Sequence, residues 1–196
     1  MNTLIIFIKN PIRGKVKTRI AQTAGDDRAL QIYHSLLKHT RAVAMPVEAQ
    51  RLLFYSDFID TNDDWPQPDF DKRLQQGTNL GERMQNAFAQ ALSAAERAII
   101  IGSDCALLTS ALITTAFQQL NDHDFVLGPA IDGGYYLLGM KELTPALFHD
   151  IAWSTDTVLP ATLQRIESLR KSCFLLPALP DIDHESDWQQ YGWNDN

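Results

Sequence analysis

The chain has 196 residues, of which 45% are apolar and 21% are charged. These proportions are ordinary for a globular protein and exclude a disordered or fibrous chain. No apolar run approaches the roughly 20 residues of a membrane helix, and the N-terminus lacks the layout of a signal peptide, so we expect a single cytoplasmic domain spanning residues 1–196.

Charge is distributed unevenly along the chain. The formal net charge is -7, which argues against a general nucleic-acid binder, because such binding depends on Lys and Arg neutralising phosphates. Residues 1–25 nevertheless contain no acid and five cations, namely Lys9, Arg13, Lys15, Lys17 and Arg19. A local cationic segment on an acidic protein predicts a small phosphorylated ligand.

The first half of the chain predicts a β-α-β unit. Residues 4–8 form an apolar run of strand length, and a cationic loop follows over residues 9–19. Helical spacing of apolar residues predicts a helix over 29–43, with Asp26 or Asp27 as its N-cap. Residues 51–56 are the next predicted strand, and the acidic segment 57–71 is interpreted as a surface excursion.

The second half continues the alternation of strands and helices. Asn79 and Glu82 resemble a capping pair for a helix that continues to Leu92, and Thr109 or Ser110 is expected to cap a helix that ends at Leu120. Pro160 either kinks a helix predicted over 155–169 or marks a later start. The remaining predicted elements are strands over 98–101, 124–129 and 133–139, an edge strand over 173–176, and a last helix after 181–188. This alternation predicts a three-layer α/β fold with a mostly parallel sheet.

The loop over residues 9–19 is a candidate phosphate site. A glycine-containing turn between a strand and a helix can direct backbone N-H groups at phosphate, while Lys and Arg neutralise its charge. The segment does not match the Walker pattern, because Gly14-Lys15 is followed by Val16 rather than by Ser or Thr. A solvated basic loop is the alternative interpretation.

Asp104 and Asp183 form a candidate metal site. Asp104 follows the apolar run 98–101, and the carboxyl ends of parallel strands are where open α/β folds bind ligands. Magnesium commonly takes one or two protein carboxylates and completes its coordination with water and phosphate. Such aspartates also serve as turn caps, and Asp181 and Asp187 compete with Asp183 for the second position.

The segment 128–136 is a third candidate, in which Asp132 is available for a sugar hydroxyl or a metal and Gly133 allows close approach of the backbone. A β-hairpin turn is the alternative, and both can hold. Trp153 is available to stack on an acceptor, although an aromatic residue before a Ser/Thr helix cap is common in structure. The two cysteines, Cys105 and Cys173, are expected to be free thiols, and Cys105 is interpreted as a buried side chain rather than a nucleophile. The five histidines lack a metal-binding pattern, which disfavours zinc.

Six segments together resemble a known family. They are K-x-P-x-x-G-x-V-K-T-R over 9–19, LGERM over 80–84, GSD over 102–104, GPAxDGGY over 128–135, WST over 153–155 and DID over 181–183. This ordered set resembles bacterial nucleotide-diphospho-sugar transferases, also described as radical-SAM/selenodomain-associated transferases. The family commonly has proline after its Ser-Asp-Cys, where this chain has Ala106.

The resemblance implies a GT-A-like, Rossmann-related fold and a set of site residues. Lys9, Arg13, Lys17 and Arg19 would line the phosphate loop, and Asp104 would hold Mg²⁺ or Mn²⁺, with Asp183 as a second ligand. We also assign Gly14, Gly77, Asp132, Gly133 and Trp153 to ligand binding, and Asp104 and Asp132 to catalysis.

Three functions follow as hypotheses. The first is metal-dependent transfer of a sugar from a nucleotide-diphospho-sugar to a small acceptor. The second is nucleotidyl transfer from a nucleoside triphosphate with release of pyrophosphate, which needs the same combination of cations and carboxylates. The third is a non-catalytic nucleotide-binding module. Fold alone does not distinguish them.

Overall fold

The computed structural model describes residues 1–193. They fold around one seven-stranded sheet. The strands are β1 Asn2–Ile8, β2 Gln50–Tyr55, β3 Asp71–Leu74, β4 Arg97–Ile101, β5 Phe125–Pro129, β6 Tyr135–Met140 and β7 Cys173–Leu175. Their order across the sheet is β3-β2-β1-β4-β6-β5-β7. Strand β6 is antiparallel to both of its neighbours, and all other neighbouring pairs are parallel. The predicted mostly parallel sheet is confirmed.

Helices cover both faces of this sheet. They are α1 Thr18–Ala24, α2 Asp26–Ala44, α3 Leu80–Leu92, α4 Ser110–Gln119, α5 Val158–Ser168 and α6 Glu185–Tyr191, with a 3₁₀ turn over Pro145–Leu147. No helix in the described part of the chain is both long enough and apolar enough to cross a membrane.

The hydrophobic core lies on the two sides of the central strands. Alternate residues of β1 enter different clusters: Leu4 and Ile6 pack on the side of α2 and α4, whereas Ile5 packs on the side of α3 and α5. Successive side chains of a strand point to opposite faces, so a continuous apolar run is what a strand covered on both sides requires. A third cluster joins α1, α2 and α6 through buried residues that include Ile20, Leu36 and Trp188. These layers confirm the three-layer prediction.

Several element boundaries differ from those predicted. Helix α1 begins at Thr18 inside the expected loop, and Gly25 rather than Asp26 or Asp27 is the N-cap of α2. Strand β3 begins at Asp71, the last residue of the expected surface excursion, and was not predicted; its side chains are only partly covered, because it lies at an edge of the sheet. Helix α5 begins after Thr157, which places Pro160 in its first turn, where a missing N-H costs nothing. The predicted caps Asn79 and Thr109 are confirmed, as is the edge position of β7.

Candidate active-site cleft

A cleft of about 880 Å³ opens at the edge of the sheet where β1 and β4 end. Parallel strands bring their carboxyl ends to the same edge, so the loop after Ile8 and the segment after Ile101 meet there. Because β6 is antiparallel to β4, its first residue, Tyr135, reaches the same edge. Segments that are far apart in sequence therefore line one cleft.

Lys17 is the most enclosed cation of the cleft, with its side chain only 6% exposed. Its Nζ lies 2.6 Å from Oδ1 of Asp104 and donates a hydrogen bond to the carbonyl of Ile182, also at 2.6 Å. Oδ1 of Asp183 lies 3.9 Å from the same nitrogen. The structure thus brings Lys17, one of the five cations near the N-terminus, together with the two carboxylates that the sequence indicated as metal ligands.

Local backbone geometry makes this placement of Lys17 possible. Gly14 has a φ of 75°, which lets the loop turn back toward the sheet. Lys17 itself has a φ of 47° and directly precedes α1. Left-handed backbone is costly for a non-glycine residue and is maintained only where the surroundings fix it. The contacts of the Lys17 ammonium with Asp104 and with the Ile182 carbonyl hold the backbone in this conformation.

Arg19 completes the charge pairing on the same side. Its Nη1 lies 2.7 Å from Oδ2 of Asp183. Asp187 accepts hydrogen bonds from the backbone N-H groups of Asp183 and His184, at 3.0 Å and 2.7 Å. Asp187 therefore holds the start of α6, which leaves Asp183 to face the cations.

Asp181 is a carboxylate whose importance the sequence did not reveal. Burial, followed by the nearby negative charges of Asp104 and Asp132, raises the pKa of Asp181 to about 7, against the lowering effect of Lys17. Sequence spacing identified it only as a competitor for the second metal position. Burial is the largest cause of the rise, and the charges of Asp104, Asp132 and Asp183 add to it. We call Lys17, Arg19, Asp104, Asp181 and Asp183 the charged cluster.

Two buried polar residues position the loops around the cleft. The Tyr33 hydroxyl accepts a hydrogen bond from the N-H of Lys9 at 2.8 Å, donates to the Lys9 carbonyl at 3.0 Å and lies 3.3 Å from Oγ of Ser103. Burial and the charge of Asp104 raise the pKa of Tyr33, so it remains a neutral phenol. Asn10 joins the loop after β1 to the loop after β2, because its side chain donates to the Phe58 carbonyl at 2.8 Å. In the sequence, Tyr33 was only one of the apolar positions of the helix predicted over 29–43, and no pattern indicated Asn10.

The other wall of the cleft is apolar and packs against the α3 and α5 side of the core. We call its members Phe7, Met84, Tyr135 and Trp153 the aromatic wall. Trp153 lies against the first turn of α3, where a Cβ on Gly81 would come within 2.6 Å of its Nε1. Arg83 also lines the cleft and donates from Nε to the Gly77 carbonyl at 3.1 Å. In the sequence, Arg83 was part of the LGERM segment at a predicted helix start and was given no role in the site.

The predicted site residues divide into two groups. Those that line the cleft are Lys9, Lys17, Arg19, Asp104, Asp132, Trp153 and Asp183. Arg13 is directed elsewhere: its Nε lies 2.6 Å from Oδ1 of Asp27, and its Nη1 lies 3.6 Å from Asp26. The first turn of α2 offers two carboxylates at the distance an arginine reaches, so the loop places Arg13 there rather than among the residues lining the cleft.

Three predicted glycines shape the loops without lining the cleft. Gly14 forms the turn before Lys17, as described above. Gly77 has a φ of 138°, and a Cβ there would lie 2.7 Å from the Cβ of Glu82. Gly133 has a φ of 94°, and a Cβ there would lie 2.3 Å from the Asp156 carbonyl oxygen. The hairpin interpretation of segment 128–136 is confirmed, because this turn joins β5 to β6.

Neither cysteine is activated in this environment. Both are free thiols, and burial raises the pKa of Cys105 to about 12 and that of Cys173 to about 11. A thiol is nucleophilic only when ionised. The interpretation of Cys105 as a buried side chain therefore agrees with its surroundings.

The family model described as "Uncharacterized protein conserved in bacteria (DUF2064)" matches residues 38–155. The chain belongs to this DUF2064 family. A solved structure from Desulfovibrio desulfuricans G20, provisionally assigned as a nucleotide-diphospho-sugar transferase, is 30% identical and superimposes with a TM-score of 0.86 over 93% of this chain and 82% of its own. No curated protein matches the sequence.

More distant structures share the fold of this DUF2064 protein. The inositol-1-phosphate CTP transferase from T. maritima is 14% identical, with a TM-score of 0.61 over 100% of this chain and 92% of its own. The protein Rv0371C from Mycobacterium tuberculosis H37Rv, solved in complex with manganese, is 10% identical, with a TM-score of 0.57 over 97% of both chains. At these identities the likeness establishes the fold, which is GT-A-like, as predicted.

Proposed function

We propose that this protein is a metal-dependent transferase that binds a nucleotide-diphospho-sugar and passes the sugar to a small acceptor. The observation that carries the proposal is the position of Lys17 between Asp104 and Asp183 at the carboxyl edge of the sheet. The 30% identical relative from Desulfovibrio desulfuricans G20, which carries the same provisional assignment, supports the same class of donor.

The charged cluster has the chemistry that a diphosphate leaving group requires. When the bond between the sugar and the diphosphate breaks, negative charge accumulates on the phosphate oxygens, and fixed positive groups that face those oxygens lower the barrier. An ammonium has three N-H groups, and Lys17 uses two of them on Asp104 and the Ile182 carbonyl. The third is available to a phosphate oxygen, and Arg19 supplies a second cation beside it.

The carboxylates of the cluster fit a divalent cation. Among residues 1–193, no group of three His, Cys, Asp or Glu side chains lies close enough to enclose a metal by itself. Two carboxylates are sufficient for Mg²⁺ or Mn²⁺ when phosphate and water complete the coordination, and we assign Asp104 and Asp183 to this role. The charges of Asp104, Asp132 and Asp183 all help burial to raise the pKa of Asp181, and this closeness of several carboxylates supports the assignment. When bound, the cation would supply further positive charge to the leaving diphosphate.

The remaining predicted residues are assigned to the sugar and the acceptor. Asp132 is exposed in the cleft, and one of its oxygens accepts a hydrogen bond from the Gly134 N-H at 2.9 Å. We assign it to accept the proton of the acceptor hydroxyl as that oxygen bonds to the sugar carbon. Trp153 and Lys9 also line the cleft, and we assign Trp153 to stack on the acceptor and Lys9 to supply a further cation.

A ligand screen tests the donor class. Thermal unfolding would be followed with sugar nucleotides and with nucleoside triphosphates, each with and without Mg²⁺ or Mn²⁺. A ligand that binds only the folded protein raises its apparent stability, so sugar nucleotides should raise the unfolding midpoint, and more strongly with the metal. Stabilisation by triphosphates with pyrophosphate release would instead establish nucleotidyl transfer, and binding without turnover would indicate a non-catalytic module.

Replacement of Asp104 tests the metal site. Asp104→Asn keeps the size of the side chain but removes its charge, so metal-dependent stabilisation by the sugar nucleotide and metal-dependent turnover should both be lost. Asp122→Asn, at an exposed position outside the cleft, is the matched control and should behave like the wild type. Turnover that is unchanged in Asp104→Asn would remove Asp104 from the mechanism.

A further inference from the structure

Tyr135 carries a buried polar atom that nothing in the proposed mechanism uses. Its side chain is part of the aromatic wall, and its hydroxyl oxygen is buried without a hydrogen-bond partner among the described residues. An unpaired buried hydroxyl is costly to a folded protein, and such groups are rare unless they serve a function.

Its neighbour Tyr136 shows the usual arrangement. Tyr136 packs on the opposite side of the sheet, with its ring over Gly128, and its hydroxyl donates to the Pro177 carbonyl at 3.0 Å. Two adjacent tyrosines of β6 thus differ in one respect: the Tyr136 hydroxyl has a hydrogen-bond partner within the fold, and the Tyr135 hydroxyl has none among the described residues. Both residues line the cleft.

The loop before α5 lines the same cleft as Tyr135. The segment 152–157 lies outside the regular helices and strands and includes Ser154, with a φ of 65°. It adjoins the turn before Tyr135, because the Asp156 backbone fills the space next to Gly133 and the N-H of Leu159 donates to the Gly133 carbonyl at 2.9 Å. The hydroxyl is buried in the free protein, so a ligand reaches it only if this segment or the Tyr135 ring moves.

We propose that the Tyr135 hydroxyl hydrogen-bonds a hydroxyl of the donor sugar and thereby contributes to sugar specificity. This inference rests on the proposed function. The phosphates are assigned to the charged cluster, on the side of α1 and the segment before α6, whereas Tyr135 belongs to the aromatic wall on the other side of the cleft. An apolar wall with a single polar group that fixes orientation is the usual construction of a small-molecule site. Burial raises the pKa of the phenol, so it stays neutral and suits a neutral hydroxyl.

The test compares Tyr135→Phe with Tyr136→Phe in two measurements. The first is the unfolding midpoint without ligand. Tyr135→Phe removes a hydroxyl that has no partner, so the midpoint should stay the same or rise, whereas Tyr136→Phe breaks the bond to Pro177 and should lower it.

The second measurement is affinity by calorimetry in the presence of Mg²⁺. The probes are UDP-glucose, GDP-mannose and dTDP-glucose, each beside its matching nucleoside diphosphate. For the sugar nucleotide that the wild type binds, Tyr135→Phe should weaken affinity by about 3- to 10-fold, the range of one hydrogen bond, and leave the matching diphosphate unchanged. Tyr136 also lines the cleft, but its hydroxyl is paired with the Pro177 carbonyl, so Tyr136→Phe should not discriminate between sugar nucleotide and diphosphate.

Several results would overturn the inference. A midpoint lowered as much in Tyr135→Phe as in Tyr136→Phe would mean that the hydroxyl is already paired in the free protein. Unchanged affinity for the sugar nucleotide, or an equal loss for sugar nucleotide and diphosphate, would remove the sugar contact. If the wild type binds none of the sugar nucleotides, the proposed function fails and this inference fails with it. If the wild type binds one of them and Tyr135→Phe binds it equally well, only this inference fails.

Discussion

Lys17 determines the charge balance of the cleft. Its ammonium is nearly enclosed and contacts Asp104 directly, while Asp181 and Asp183 lie in the same cluster. A buried charge left without its partner is strongly destabilising, but Asp104 is 51% exposed, so water compensates part of the loss. The cluster therefore depends on Lys17 more than on any single carboxylate.

Lys17→Met is expected to lower the free energy of unfolding by about 2 kcal/mol at neutral pH and to abolish diphosphate binding. Methionine keeps the apolar stem but leaves the carboxylates without their buried cation. Denaturant unfolding gives the first quantity and calorimetry with a nucleoside diphosphate gives the second. Lys15→Met, at an exposed position of the same loop, is the control. Equal stability of the two variants would contradict a structural role for the buried ammonium.

The sequence was sufficient to identify site residues that follow the ends of strands. It was not sufficient for residues whose role depends on where the side chain points in the folded protein. Asp104 and Lys17 were predictable, because the carboxyl ends of parallel strands converge. Arg13 was not distinguishable from Lys17 in the sequence, since both are cations of one loop, and only the fold shows that Arg13 reaches Asp27. Tyr33 and Asn10 act through hydrogen bonds to distant backbone, which no spacing reveals.

At the scale of elements, helix α3 shows how one glycine fixes a cleft wall. Gly81 has ordinary helical backbone, so its conformation does not require glycine. Glycine is required instead by the lack of space, because a Cβ there would lie 2.6 Å from Nε1 of Trp153 and 2.6 Å from the Phe148 carbonyl oxygen. The absent side chain lets Trp153 and the loop at Phe148 approach the helix.

Gly81→Ala should therefore destabilise the protein by about 1–3 kcal/mol, as overpacking does, although alanine normally favours a helix over glycine. The intrinsic fluorescence of a variant that retains only Trp153 should also shift, because the indole must move. Gly102→Ala is the matched control, since a Cβ there meets nothing within 4 Å. A stabilised Gly81→Ala protein with unchanged Trp153 emission would show that the wall does not depend on this contact.

The elements that the sequence predicted best are those that are buried on both faces. The apolar runs of β1, β2 and β4 were recognisable, because a strand covered on both sides needs them. Strand β3 was missed, since its residues Asp71–Leu74 are mostly polar and lie at an edge. Helix α1 was missed because its seven residues follow the cationic loop without a side-chain cap.

At the scale of the whole molecule, the position of β6 between β4 and β5 could not be derived from composition. Its six residues are apolar or small and largely buried, as in a parallel strand. The short turn between β5 and β6 forces antiparallel pairing, and β6 then inserts between β5 and β4. That insertion brings Tyr135, together with the Asp132 turn, to the cleft.

The same sheet joins the core clusters into one unit. Leu4 and Ile6 belong to the cluster under α2 and α4, and Ile5 between them belongs to the cluster under α3 and α5. Because β1 contributes side chains to both clusters, we expect the loss of packing in one cluster to destabilise the other. The third cluster is tied to the sheet edge by Lys17 and by the hydrogen bond from the Ile182 N-H to the Asp104 carbonyl, at 2.9 Å.

We therefore expect the chain to unfold as one domain, and its tryptophans allow a direct test. Trp65 lies in the first cluster, Trp153 packs on the second and Trp188 lies in the third. Three variants would each retain one of these and carry Phe at the other three tryptophan positions. In each variant, the denaturant midpoint from Trp fluorescence should coincide with the midpoint from far-ultraviolet circular dichroism. Comparison within one variant removes the effect of the Phe substitutions on stability. A fluorescence midpoint below the circular-dichroism midpoint for Trp188 alone would show that the α1 and α6 side melts first, and that the charged cluster belongs to a separately unfolding part.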